Sequence, residues 1–192
     1  MTSRSDVSAR PDDAFVWVWL PGATSPVVAG RVSRYGGDGY RFAYGSSYLA
    51  GPQAISLFPP ELPLRQGWID APDGLEMAGC PWDASPGSWG QRVIIAWLTG
   101  LQGAAADAVT FDRLTFLLES GSNRIGALDF QRSPTEYESR AQTASIDELH
   151  EAAQALQRGE LREGLARALV DGTAVGGARP KVLVTDADRE YI

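Results

Sequence analysis

The sequence predicts an α+β protein built from three successive regions. Residues 14–67 are rich in aromatic residues, valine, glycine and proline and show no helical period, which favours an antiparallel β-sheet or a small barrel. Residues 68–171 are mainly helical in pattern. Residues 172–192 hold a glycine-rich loop and then two short strand-like runs. Residues 1–13 are polar, and we expect them to form a flexible N-terminus.

Three strands are predicted in the β-rich region. Residues 15–20 form an aromatic and apolar run that stops at a Pro-Gly turn. Residues 27–35 and 40–44 are two further runs, joined by the glycine-rich turn Gly36-Gly-Asp-Gly39, which is typical of a β-hairpin. The prolines that follow, at 52, 59, 60 and 63, leave room only for short strands.

Two buried helices are predicted in the first half of the helical region. Residues 88–101 place apolar side chains three and four positions apart, as one buried helix face requires; they are Val93, Ile94, Trp97, Leu98 and Leu101. Residues 110–118 predict another helix, with its inward side chains at Leu114, Phe116, Leu117 and Leu118. A turn and a short strand are predicted over residues 121–130.

A capping box marks the start of a third helix. Ser145 is followed three residues later by Glu148, so each side chain can bind the backbone N–H of the other residue. The helix is expected to run to about Arg158. A further helix over residues 161–170 would end at Gly172, since glycine is common just past a helix terminus.

Composition and charge exclude several classes of protein. Hydrophobic residues make up 44% of the chain, which is enough for a packed core, and the net charge of −7 disfavours direct nucleic-acid binding. The single cysteine, Cys80, and the single histidine, His150, allow neither an intrachain disulfide nor a Cys/His zinc site. The uncharged stretch over residues 93–106 is shorter than the roughly 20 apolar residues of a membrane span. These features predict a soluble, cytoplasmic protein without a membrane or metal site.

The loop from Gly172 to Lys181 is the candidate ligand site. Its glycines at 172, 176 and 177 would let backbone N–H groups approach an anion, and Lys181 adds a positive charge at the exit. A Walker A loop is excluded, because the glycine-lysine-serine/threonine ending is missing and a strand follows. A glycine-rich loop between strands is how protein kinases cover ATP, although a helix precedes this one. Taken alone, the composition fits a plain turn equally well.

Several segments, in order along the chain, resemble HipA-type serine/threonine kinases, the toxins of bacterial toxin–antitoxin pairs. They are Tyr44-Gly-Ser-Ser-Tyr-Leu49, Leu62-Pro-Leu64, Ala84-Ser-Pro-Gly-Ser-Trp-Gly-Gln-Arg-Val-Ile94, Leu117-Leu118, Asn123-Arg-Ile-Gly-Ala-Leu-Asp-Phe130 and Gly172-Thr-Ala-Val-Gly-Gly-Ala-Arg-Pro-Lys181. The resemblance implies an N-terminal β-subdomain, a helical connection and the first hairpin of a kinase-like N-lobe. It implies further that the ATP-binding lysine, the catalytic aspartate and a metal-binding aspartate follow beyond Ile192.

The resemblance also implies the nucleotide-binding residues. They are Gly172, Thr173, Ala174, Val175, Gly176, Gly177, Ala178 and Lys181. ATP and Mg would be bound in the complete kinase, whereas this chain alone is expected to bind no cofactor and to be inactive. The family usually has an autophosphorylated serine where this chain has Ala174, with Thr173 as an unproven substitute. It also favours aspartate at the positions of Gly87 and Asn123.

Two functional hypotheses follow. In the first, the chain is the front part of a HipA-like kinase, whose complete form phosphorylates a protein substrate. This hypothesis is favoured by the last hairpin, because its second strand is cut short at Ile192. In the second, the chain is a stand-alone regulatory module that binds a separate kinase-core chain or an antitoxin protein. The initial Met1 and Ala174 favour the second.

The remaining polar and aromatic residues are expected to be structural. Five tryptophans are predicted to anchor the core or an interface: Trp17, Trp19, Trp82, Trp89 and Trp97. Arg124 is expected to tie a turn to a carboxylate, and His150 to be structural or solvent-facing. The pair Asp12-Asp13 is expected to be solvated.

Overall fold

The computed structural model describes residues 10–124, 126–140, 145–161, 166, 169–170, 184–186 and 189–191. The chain divides into two compact units. The sheet unit comprises residues 11–84 and 126–138, and the helical unit comprises residues 1–10, 85–125 and 139–192. The sheet unit is therefore discontinuous in sequence, since the chain leaves it after Ala84 and returns at Gly126.

The sheet unit contains an antiparallel five-stranded sheet with the strand order β4-β3-β2-β1-β5. The strands are β1 (Asp13–Val18), β2 (Val27–Tyr35), β3 (Gly39–Tyr44), β4 (Trp68–Asp70) and β5 (Leu128–Gln131). The predicted antiparallel sheet is thereby confirmed. The alternative of a small barrel is wrong, because β4 and β5 form the two opposite edges of an open sheet.

The central hairpin forms where the sequence predicts it. β2 and β3 pair from Gly30↔Tyr44 to Tyr35↔Gly39, and Gly39 N–H donates to Gly36 O at 3.0 Å across the turn. Gly36 and Gly37 have φ values of +53° and +56°, in the left-handed region that side chains with a Cβ rarely adopt. The glycines at these two positions are therefore what allows the tight turn.

The edge strands extend the sheet beyond the predicted β-rich region. The predicted boundary between residues 67 and 68 falls immediately before β4, which pairs with β3 through Phe42↔Ile69. β5 follows the helical insertion and pairs with β1 through Val16↔Phe130. At the other end, Asp13 belongs to β1 and not to the polar N-terminus, because it pairs with Ser33.

One face of the sheet forms the core of this unit. Strand alternation places Val16, Val32, Phe42, Ile69 and Phe130 on that face, and each is at most 5% exposed. Two short helices lie in the loops of the unit: α1 (Ser46–Leu49) and α2 (Gly79–Asp83). The sequence pattern missed both, since a single helical turn is too short to show a period.

The helical unit is organised around one helix whose side chains enter both of its core clusters. The helices with defined bounds are α3 (Ser88–Thr99), α4 (Ala104–Asp107), α5 (Arg113–Glu119) and α6 (Ile146–Arg158). The helix predicted over residues 88–101 is confirmed, but it ends earlier, because Gly100 adopts a left-handed φ of +74° and closes the C-terminus.

α3 buries two faces, whereas the sequence predicted one. Trp89, Val93 and Ala96 pack with residues of α6 and with Leu161, Ala166 and Leu169 in one core cluster. Ile94 and Ile95 pack with Ala106 and Phe116 in a second. Leu101, predicted to face inward, is 41% exposed, because it lies beyond the end of the helix.

Side-chain caps fix the starts of α5 and α6. Asp112 accepts hydrogen bonds from the backbone N–H groups of Leu114 (3.0 Å) and Thr115 (3.2 Å), so α5 begins at Arg113 and not at Thr110. Its four predicted inward side chains are all buried. The predicted capping box is confirmed, since Glu148 N–H donates to Ser145 Oγ at 3.2 Å and Ser145 N–H donates to Glu148 Oε2 at 2.8 Å.

The end of the chain forms a separate small hairpin. β6 (Val184–Asp186) and β7 (Arg189–Tyr191) pair antiparallel through Thr185↔Glu190, as the pattern of short strands predicts. Most of the helix predicted over residues 161–170 lies outside the described residues. Within the described part of the chain, no helix combines the length and apolarity that crossing a membrane requires.

Gly30→Ala should destabilise the sheet unit by about 2 kcal/mol or more. A Cβ at this position would overlap Ala43 O and come within 2.8 Å of Phe42 Cζ, so the backbone of β2 or β3 would have to shift. Urea unfolding measures the loss. Gly45→Ala is the matched control, because its Cβ would meet only ordinary contacts, at 3.9 Å from Ala29 O. Equal stability of the two variants would contradict the close approach of β3 to Gly30.

The protection of the first-turn amides of α6 against hydrogen exchange should depend on the charge of Glu148. Its two hydrogen bonds with Ser145, from the backbone N–H and then from the hydroxyl, lower the pKa of this carboxyl below its ordinary value of 4.5. The stabilisation is therefore complete above pH 4.5 and is lost as the pH falls through the lowered pKa of the folded state. Hydrogen exchange of the α6 amides measures it.

Glu148→Gln should retain the cap and lose this pH dependence, since glutamine accepts the same hydrogen bond without titrating. Ser145→Ala should weaken protection of the first turn at neutral pH, and Glu151→Ala, on the exposed side of the same helix, serves as the control. An unchanged pH profile in Glu148→Gln would contradict the role of the capping box.

Candidate functional site

The predicted ATP loop, Gly172 to Lys181, lies outside the described residues. The prediction of its nucleotide-binding residues therefore stays a prediction. Among the described residues, no group of three His, Cys, Asp or Glu side chains could hold a metal ion. The described chain does contain a different candidate site, on the sheet unit.

This candidate site is the side of the sheet opposite the core, which we call the outer face. It consists of Arg31, Ser33 and Tyr35 of β2, Arg41 and Ala43 of β3, and Trp68 of β4. Alternation sends these side chains to one side, because their neighbours Val32, Phe42 and Ile69 point into the core. The register then sets Ala43 opposite both Arg31 and Trp68, and Arg41 opposite Ser33.

Two guanidinium groups meet at one indole ring on this face. The guanidinium carbon of Arg41 lies 4.0 Å from the Trp68 ring centroid, and that of Arg31 lies 4.9 Å from it. Arg41 also lies 4.5 Å from the Tyr35 ring centroid. These aromatic contacts fix the position of Arg41 and partly compensate the burial of its charge.

The acidic neighbours of the outer face bind only one of these arginines. Asp13 Oδ2 lies 3.8 Å from Arg31 Nη1, and Asp13 Oδ1 accepts a hydrogen bond from the Ser33 hydroxyl. The Asp13 side chain is 38% exposed, as expected of a solvated pair, and strand pairing in addition brings Ser33 and Arg31 to it. Within the described chain, Arg41 forms no ion pair, and its buried Nε has no hydrogen-bond acceptor.

The outer face contains two adjoining depressions. The first, of about 390 Å³, lies around Arg31, Arg41, Tyr35 and Trp68, with Asp12 and Asp13 at its side. The second, of about 520 Å³, is more apolar; its lining includes Phe15, Val28, Tyr44, Trp68, Pro134 and Thr135. Arg31 and Trp68 line both, so a single elongated ligand could occupy them together.

Tyr44 supports the wall of the second depression. Its hydroxyl donates to Leu62 O at 2.7 Å and accepts from Leu57 N–H at 2.9 Å, which fixes the loop after α1 against β3. Burial raises the pKa of Tyr44, so the hydroxyl stays protonated and can donate. The ring stacks on Tyr48 with a centroid distance of 5.8 Å. Two of the segments that carry the family resemblance, 44–49 and 62–64, are thereby joined.

The other polar residues that the sequence singled out have structural contacts. Arg124 donates from Nη2 to Leu117 O (2.8 Å) and to Ser120 Oγ (2.7 Å). His150 is exposed, as predicted, and it shares a hydrogen bond with Gln154. Burial, together with the nearby Asp83 and Glu61 carboxylates, raises the pKa of Cys80 to about 11, so this thiol is a poor nucleophile at neutral pH.

The tryptophans divide between the core and the surface. Trp17 and Trp89 are 8% and 6% exposed, which confirms the prediction that they anchor the core. Trp19 packs edge-on against Tyr137 at 5.4 Å, and Trp82 is 38% exposed. Trp68 was not singled out by the sequence, although it is the aromatic residue that gathers the two arginines. The available signal was the position of Arg31 and Arg41, each next to an apolar residue in one strand of the predicted hairpin.

A scan against protein-family models finds no match to this chain, and a search of curated proteins finds no significant relative.

Tyr44→Phe should destabilise the sheet unit by about 1–3 kcal/mol, because Leu57 N–H would lose its buried acceptor. Leu62 O would keep the hydrogen bond from Ser56 Oγ at 2.6 Å, so the cost comes mainly from Leu57. Thermal or urea unfolding measures the loss. Tyr35→Phe, at a residue that is 51% exposed, is the matched control. A Tyr44→Phe variant as stable as the control would contradict the assigned hydrogen bonds.

Proposed function

We propose that this chain supplies the N-terminal subdomain and the glycine-rich ATP loop of a HipA-like serine/threonine protein kinase, without its catalytic core. The observation that carries the proposal is the ordered resemblance of six segments between Tyr44 and Lys181. Each segment is short, and it is their order and spacing along the chain that make the resemblance specific.

The described segments support the proposal, because they lie at positions that connect the elements of the fold. Segments 44–49 and 62–64 are linked by the Tyr44–Leu62 hydrogen bond. Segment 84–94 contains the start of α3, the helix that belongs to both clusters of the helical unit. Segment 123–130 returns the chain to the sheet and forms most of β5. A resemblance based on fold would be expected at positions of this kind.

In the proposed kinase, the loop would act by binding and not by bond making. Backbone N–H groups at Gly172, Gly176 and Gly177 would face the ATP phosphates, and Lys181 would contribute a positive charge. ATP and Mg would be held in the complete kinase, with the remaining ligands supplied by the core. Ala174 cannot be phosphorylated, so the usual switch of the family would be absent or moved to Thr173.

A second function is favoured by the outer face of the sheet unit. Arg41 is half-buried, positively charged and, within the described chain, free of an ion pair, which suits a surface that binds another protein. In this alternative, the chain is a stand-alone module that regulates a separate kinase core or binds an antitoxin.

A domain-exchange experiment tests the kinase proposal. A HipA-type core that lacks its own N-terminal region and loop is joined after Ile192 of this chain, and transfer from γ-labelled ATP to protein is measured. We expect the fusion to phosphorylate protein serine or threonine, and the 192-residue chain alone to show no transfer. Gly176→Val together with Gly177→Val should lower the rate of the fusion roughly a hundredfold, because a displaced loop mispositions the phosphates.

Ala105→Val on the exposed side of α4 is the control, since it adds the same kind of bulk away from the loop. Robust phosphate transfer by the chain alone would overturn the proposal that it lacks the catalytic core. A folded fusion whose rate is indifferent to the two glycine substitutions would overturn the role of the loop. If the activity of the separate core changed when this chain was added to it, while the fusion of the two showed no activity, the regulatory module would be favoured.

A further inference from the structure

One of the two arginines that meet on the outer face has no ion pair within the described chain. Arg31 and Arg41 share the Trp68 ring, and two guanidinium groups at one ring repel each other. Asp13 is the one carboxylate that forms an ion pair with either of them within the described residues, and it binds Arg31. Arg34 also lines the first depression, but its Nη2 donates to Pro11 O at 3.0 Å and its guanidinium carbon lies 5.6 Å from the Tyr40 ring centroid. Of Arg31 and Arg41, Arg41 is therefore the one without an ion pair in the described chain, and Asp70 lies opposite it in the strand register.

Arg41 is held in a geometry that suits an anion. Tyr35 and Trp68 contact its guanidinium at 4.5 and 4.0 Å, and such contacts leave the edge of the planar group free to donate. Its Nε is buried without an acceptor, and in the described chain its terminal nitrogens donate to no protein atom. A carboxylate that accepts hydrogen bonds from the terminal nitrogens would form the ion pair that Arg41 lacks in the described chain.

The surroundings favour a singly charged carboxylate over a phosphate. Asp12 and Asp13 line the same depression, and Asp70 lies opposite Arg41 in the strand register. A doubly charged phosphate would be repelled by these groups more strongly than a carboxylate would. The depression of about 390 Å³ continues into the apolar one of about 520 Å³, and together they accommodate several residues of an extended chain.

We propose that the outer face binds an extended acidic segment of a partner protein, with one carboxylate on Arg41 and Arg31 and an apolar side chain of the same segment in the second depression. The proposal rests on the geometry of the sheet unit and does not depend on the kinase proposal. The two can therefore fail independently.

The test uses the full chain, labelled with ¹⁵N, and follows the Nε–Hε signals of its arginines by NMR. The probe is an acetylated hexapeptide of alternating glutamate and leucine, and the control probe is the same peptide with glutamine in place of glutamate. We expect a saturable shift of the Arg41 signal, identified by its absence in Arg41→Gln, with the glutamate peptide only. Peptide affinity, measured by calorimetry, should fall roughly tenfold or more in Arg41→Gln.

Matched variants separate a specific site from general charge attraction. Arg92→Gln removes the same charge from an exposed pair with Asp107 and should leave the affinity unchanged. Arg41→Lys should also bind weakly, because lysine keeps the charge and loses the planar donor edge. Asp13→Asn should strengthen binding, since it frees Arg31 from its carboxylate partner. This gain keeps the proposal testable if the Arg41 variants fold poorly.

Four results would overturn the proposal. They are equal binding of the glutamine peptide, equal binding to the folded Arg41→Gln variant, weaker binding by Asp13→Asn, and no shift of Arg41 at millimolar glutamate peptide. Inorganic phosphate is titrated in parallel. If it bound at Arg41 more tightly than the peptide did, the site would be one for phosphate and the assignment to an acidic protein segment would be wrong.

Discussion

The pairing of β5 with β1 is the interaction on which the architecture depends. β1 occupies the sheet position between β2 and β5, so its Val16 is covered on both sides, by Gly30 and by Phe130. β5 reaches this position only after the chain has passed through residues 85–125. The entropic cost of closing such a loop grows slowly with its length, which makes a long helical insertion tolerable between two parts of one sheet.

The helical unit buries its apolar side chains through contacts between helices. α3 is apolar on two sides, and its side chains enter two separate clusters, one with α6 and one with Phe116 of α5. The amphipathic α6 begins at a capping box and ends at Arg158, where Gly159, with a φ of +72°, caps its C-terminus. Local caps therefore set where this helix starts and stops, while packing against α3 determines which of its faces is buried.

The outer face shows how a stable sheet can present a charge. Core residues alternate with Arg31, Arg41 and Trp68 along the strands. When the core residues pack on one face of the sheet, these three side chains therefore lie on the opposite face. The strand register, which sets Ala43 opposite both Arg31 and Trp68, brings the arginine side chains within reach of one indole ring. Arg41 is thereby held against the Tyr35 and Trp68 rings.

The sequence by itself determined the features that are fixed by neighbouring residues. The β2–β3 hairpin, the Ser145 capping box and the inward face of α5 were predictable, because turn geometry, caps and helical period act over a few residues. The family resemblance and the loop from Gly172 to Lys181 are also products of the sequence and stay predictions. Only the tertiary structure decided the β5–β1 pairing, the second buried face of α3 and the meeting of Arg31, Arg41 and Trp68. The strand pairing and the meeting of these side chains depend on the register between strands, and the second face of α3 depends on packing between helices. Local sequence patterns specify neither.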